Sequence, residues 1–137
     1  MDMGLASELS SSHSSDLDVI SLTVPAATRF VRLVRIAVAS IARRRGLSVR
    51  AIDDLRLAVE ETFSLLLGGD DHEGSVEVTF EVDSHELLVA MVTRISNGSV
   101  SAESEAALAF DVVITDLVDR FDADVERGVV QFSKALT

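Results

Sequence analysis

Cysteine, tryptophan and tyrosine are absent from these 137 residues, and proline occurs once. Without cysteine there is no disulfide framework, no thiol nucleophile and no cysteine-bound zinc. A reducing compartment is compatible with that absence, and the cytoplasm is the expected location. Positive charge is scarce: 12 Lys and Arg stand against 23 Asp and Glu, a formal net charge of −11. A general binder of phosphate backbones needs a net or strongly local excess of cations, so nucleic acid is a poor partner. No nearly uncharged run approaches the roughly 20 apolar residues of a membrane span, and no basic-then-apolar leader opens the chain. No membrane association is expected.

Aliphatic residues are plentiful: apolar types make up 47% of the chain, and a length of 137 residues is enough for one two-layer core but short for two independent domains. Residues 1–16 hold Ser7, Ser10, Ser11, Ser12, Ser14 and Ser15 among few apolar side chains, which predicts a flexible Ser-rich tail before one domain over 17–137.

Within that domain the alternation of Leu17 to Val24 predicts a first strand, and Pro25 suits the opening turn of a helix starting near Ala26. Phe30, Leu33, Val34, Ala37 and Ile41 form its expected apolar stripe, with Arg32, Arg35 and Arg43 on the other side. Gly46 and Ser48 mark a helix end and a new N-cap. The helix that follows buries Ile52, Leu55, Val59, Phe63 and Leu66 until Gly68-Gly69-Asp70-Asp71 breaks it. Ser75 to Val82 and Leu87 to Ile95 then read as a hairpin about Asp83-Ser84-His85, closed by Ser96 to Ser99. Helical spacing returns from Glu103 to Arg120, and a last hairpin joins Phe121–Val125 to Val129–Ala135. The order β-α-α-β-β-α-β-β favours an α+β two-layer sandwich, a mainly antiparallel sheet covered on one face by helices.

The run Ile52-Asp53-Asp54-Leu55-Arg56-Leu57-Ala58-Val59-Glu60-Glu61 resembles the signature helix of RsbW-type anti-sigma factors and serine kinases, which share the histidine-kinase-like (GHKL, or Bergerat) ATPase fold. In that family the pattern continues to an Asn four residues beyond the Glu, on the same helix face. The resemblance implies a general base at Glu61 and a magnesium ligand at position 65, where this chain has Leu65. The family's adenine-reading Asp-x-Gly-x-Gly element corresponds to the stretch ending Ser96-Asn97-Gly98-Ser99, with no Asp and one Gly. Its phosphate-lining Gly-Leu-Gly-Leu corresponds to Ala107-Leu108-Ala109-Phe110, with a β-carbon at each former glycine. The resemblance thus implies that Leu65, Asn97, Gly98, Ala107 and Ala109 are positions of an eroded nucleotide site and that Glu61 is vestigial. The expected cofactor is none, or Mg-ATP held weakly, and no metal site is expected. Leu57 and Leu65 are expected with Asp54 and Glu61 opposite the apolar stripe, either as a second packing contact or as a plug in the former pocket.

The resemblance also implies partners: an RNA polymerase sigma factor, a STAS-type anti-anti-sigma factor and a second copy of the chain. It places a sigma-contacting Arg at Arg35, flanked by Arg32 and Arg43, and Arg suits bidentate pairing with carboxylates. The leading expectation is an anti-sigma factor. An active kinase of the STAS partner and a non-catalytic adaptor are the alternatives. His13, His72 and His85 lie in tail or turns without metal-ligand spacing and read as surface residues.

Overall fold

Val76, Val78, Phe80 and Val82 alternate along β2 (Gly74–Val82), and all four are buried, so one face of that strand lies under a second layer. A computed structural model describes residues 17–96 and 104–136. In chain order its elements are β1 (Asp18–Pro25), a 3-10 turn over Thr28–Phe30, α1 (Val31–Arg44), α2 (Val49–Leu67), β2, β3 (Glu86–Ile95), α3 (Glu105–Thr115), β4 (Arg120–Asp124) and β5 (Val129–Ala135). The five strands are antiparallel throughout, in the order β1-β2-β3-β5-β4. With helices over one face, this is the α+β sandwich expected from the sequence.

Local chemistry sets the boundaries. The Ser48 hydroxyl accepts from the Ala51 N–H at 3.1 Å and caps α2, as Ser104 caps α3 through the Ala107 N–H at 3.1 Å. Gly68 ends α2 in the left-handed region, φ 66°. In the β2–β3 turn, Asp83 Oδ1 accepts from the N–H groups of His85 and Glu86 at 2.7 and 2.9 Å. Those bonds hold the Asp83 carboxyl below its usual value. The Phe110 and Phe121 rings meet edge to face, centroids 6.3 Å apart, and fasten α3 to the start of β4.

Four expectations are corrected. Pro25 does not open a helix: it is the last residue of β1, opposite Ser75. On an edge strand its missing N–H costs no ladder bond to a further neighbour. The buried stripe of α1 is Val34, Val38, Ala39 and Ala42, while Leu33 is 49% exposed. α3 stops at Thr115 rather than running to Arg120. The apolar spacing persists past it because Val118, in the connection, is also buried. His72 is half-buried, with its Nε2 2.7 Å from the Leu67 carbonyl at the end of α2. Residues 1–16, with His13, lie outside the described residues.

Candidate partner-binding groove

α2 is the central helix. Its stripe Ile52, Leu55, Val59, Phe63 and Leu66 is buried as expected, and so are Ala58, Thr62 and Leu65, because α2 has α1 on one flank and α3 on the other. Leu65 is therefore not opposite the apolar stripe. It is 5% exposed and belongs to the core. Thr62 beside it is fully buried, and its hydroxyl has no hydrogen-bond partner. Leu57 does lie on the outer side, 48% exposed. Glu61 is half-buried on α2, Ala107 is 7% exposed in the first turn of α3, and Ala109 is exposed. Asn97 and Gly98 lie outside the described residues. Among the described residues no three His, Asp or Glu side chains converge as metal ligands.

The arginines form a group that the other candidates do not. Arg32, Arg35 and Arg43 line a groove of about 850 Å³ between α1 and α2, joined by Arg56 from α2. Arg35 is tied to Glu60 at 3.2 Å and Arg56 to Asp53 at 3.3 Å. These ion pairs cross or flank the cleft and hold two guanidiniums in place, at a modest gain for exposed pairs. The floor between the charges is apolar, with Ile36, Ala39 and Leu57. Ile36 is 56% exposed, an apolar side chain in water beside cationic groups. Eight of the twelve cations of the chain fall between Arg29 and Arg56, against two acids, Asp53 and Asp54. The rest of the molecule is acidic.

No local sequence pattern groups Arg56, Ile36 and Leu57 as one surface. The available signal was the recurrence of Asp53 and Arg56 at three-residue spacing on the outer face of the same helix. What joins them to Arg32 and Arg43 is the approach of α1 to α2, which no local pattern states.

Proteins named serine-protein kinase RsbW share 37% identity with the chain over 78 residues in Listeria monocytogenes, covering 53% of this chain and 50% of that protein. The chain is a relative of the RsbW-type proteins. The protein of that name from Bacillus velezensis is 33% identical over 82 residues, 56% of this chain and 51% of the other. That from Oceanobacillus iheyensis is 30% identical over 81 residues, again 56% and 51%. The chain thus spans about half the length of the curated relatives it matches. No protein-family model matches it. Among the described residues no helix is long and apolar enough to cross a membrane.

Proposed function

We propose that the chain is a cytoplasmic anti-sigma factor: it sequesters an alternative RNA polymerase sigma factor by direct contact, and a STAS-type anti-anti-sigma partner relieves it. The observation that carries this reading is the arginine-lined, apolar-floored groove between α1 and α2 in an otherwise acidic RsbW relative. Such a groove suits an acidic amphipathic segment: Arg32, Arg35 and Arg43 supply bidentate donors, and Ile36 and Leu57 supply contact area. A homodimer belongs to the same reading.

The residues at the nucleotide positions do not fit Mg-ATP. A magnesium ion takes oxygen ligands, whereas Leu65 offers none and its side chain is packed in the core. Ala107 places a buried β-carbon where close backbone approach to phosphate would be needed. Under this reading, control passes from phosphorylation to competition between partners for one surface.

Retention of purified sigma factors on the immobilised full-length chain at micromolar concentration tests the proposal; retention of none sinks it. A second reading, an active serine kinase acting on the STAS partner, is favoured by the relatives' printed name and by the presence of Glu61. Transfer of labelled phosphate from ATP to a STAS protein by the purified chain would establish that reading in place of the first. An adaptor that binds STAS proteins alone would retain them and no sigma factor.

A further inference from the structure

The fold answers only part of the charge in the groove between α1 and α2. Arg35 and Arg56 are met by Glu60 and Asp53, but Arg32 and Arg43 have no carboxylate partner among the described residues. Eleven steps of helix separate those two cations, about 16 Å at the ordinary rise. Between them the floor holds Ile36 and Leu57, 56% and 48% exposed. An occupant of this groove therefore has a defined chemistry: two carboxylates about 16 Å apart, with apolar side chains between them.

The chain carries such a segment ahead of β1. Residues 1–16 contain Asp2, Glu8 and Asp16 and no Lys or Arg. Asp2 and Glu8 are six residues apart, up to about 20 Å along an extended chain. Met3, Leu5 and Ala6 fall between them, and Leu9 follows. Ser10 to Ser15, five serines and His13, then lead to Asp16 and the strand. The start of β1 stands at one end of the groove. Asp18 pairs with Val82, and the carbonyl of the next residue, Asp83, accepts from Arg45 Nη2 at 3.0 Å. The strand thus begins beneath the end of α1, two residues past Arg43. Val34, Val38 and Ala42 of α1 turn to the core, so the groove opens on the outer side of the helix. A helix with its side chains is about 10–12 Å across, and the eight steps from Leu9 to Leu17 reach up to about 26 Å. That length clears the helix end and delivers the segment at Arg43. Chain direction then sets Glu8 at Arg43 and Asp2 toward Arg32.

We infer that residues 2–9 dock in the arginine groove of their own chain and compete there with the groove's partner. A tether this short sets an effective concentration on the order of millimolar, so a contact of millimolar strength closes the groove in about half of the molecules. A partner binds only the open fraction, and the segment therefore sets a threshold for capture. Its charges are of one sign and opposite to those of the groove, while the remaining surface of the domain is acidic and repels it. The inference deepens the proposal above by naming a regulator of the same groove, and it rests on that groove being a binding surface.

The chain has no cysteine, so a nitroxide can be placed on Ser7→Cys alone in the full-length protein. Its relaxation broadening should reach the amides of Ile36 and Leu57. Glu8→Arg should weaken that broadening at least twofold and leave Gln131, exposed on the sheet face opposite the helices, unchanged. Adding Arg43→Glu swaps the charges and should restore it. No broadening at Ile36 and Leu57 overturns the inference, as does broadening that Glu8→Arg leaves intact or that the charge swap fails to restore. Equal broadening in a mixture of nitroxide-bearing and separately isotope-labelled chains places the segment in another copy and overturns the contact within one chain. Sigma capture is scored separately. A chain whose segment lies in the groove but which retains no sigma factor loses the functional proposal and keeps this one. A chain that retains a sigma factor without groove broadening keeps that proposal and loses this one. Where a sigma factor is retained, Glu8→Arg should bind it two- to threefold more tightly, and equal affinity overturns the competition.

Discussion

Lys134 on β5 and Asp54 on α2 form an ion pair of 3.4 Å in which the two side chains are only 16% and 25% exposed. The same ammonium donates to the Leu117 carbonyl at 2.8 Å, just past the end of α3. One cation thus ties the central helix, the fourth strand of the sheet order and the turn that releases α3. Lys134→Met keeps the stem and removes both bonds, leaving a mostly buried carboxylate and a carbonyl without that donor. The expected loss is about 1–3 kcal/mol, read from urea unfolding. A double-mutant cycle with Asp54→Asn should show non-additivity, and strict additivity would mean that the pair contributes nothing.

Leu65→Asn puts an amide at the position where the RsbW resemblance implies a magnesium ligand. Because Leu65 is packed in the core, the change deletes apolar contact and buries an amide. We expect a cost of about 2–4 kcal/mol and no tight Mg-ATP binding. Calorimetric titration with Mg-ATP checks the second part. Restored affinity without loss of stability would show that Leu65 stands in a surviving pocket.

Gly46 and Gly74 both have positive φ, 79° and 122°, but their surroundings differ. A β-carbon at Gly46 meets nothing, whereas at Gly74 it collides with the backbone carbonyl of Arg94 on β3. Gly46→Ala should cost about 1 kcal/mol from the backbone alone. Gly74→Ala must also push β2 and β3 apart and should cost at least twice as much. Equal urea midpoints for the two variants would contradict this account.

Asp83 gives the acid response a local origin. Its carboxyl is held below the usual value mainly by the N–H groups of Glu86 and His85, with help from the His85 and Arg45 charges. A carboxylate depressed in the folded state stabilises fully above its unfolded value and loses that contribution as pH falls through the folded one. Asp83→Asn should flatten the decline in stability below the ordinary carboxylate range and leave neutral-pH stability less affected than Asp83→Ala. Unfolding followed across an acid pH series would reveal this, and a decline identical to wild type would remove Asp83 from the explanation.

Arg32 and Arg43 have no carboxylate partner among the described residues, unlike Arg35 and Arg56. Replacing either with Ala should leave folding unchanged and weaken an acidic partner by about tenfold, with a smaller salt dependence than wild type. Binding isotherms at two ionic strengths measure both. An unchanged affinity would move the partner surface elsewhere.

Most of the architecture was legible where one period dominated. β2 alternates cleanly because one face is buried, and α2 shows its stripe because Ile52, Leu55, Val59, Phe63 and Leu66 share a single angle toward the core. The apolar pattern of α1 leaves its rotation about the helix axis open. Apolar residues occupy its core side, one flank and part of its outer side, so Leu33 and Val34 compete for the same stripe, and only the position of α2 decides between them. The end of α3 was obscured because Val118 is buried in a connection that still follows helical spacing. The basic stripe was visible as residue types on one helix. The groove was not, since it exists only where Ile36 and Arg43 of α1 face Leu57 and Arg56 of α2.

Crowding two thirds of its cations into the stretch from Arg29 to Arg56, whose two helices frame one cleft, gives this molecule an orientation before it gives it a contact. An acidic protein approaching from most directions meets repulsion, and only the facet around α1 and α2 draws it in. The segregation therefore filters collisions by angle of approach. A partner arriving on that side arrives already turned toward the groove, so discrimination begins in the rate of encounter, a Debye length away from any side chain that later touches it.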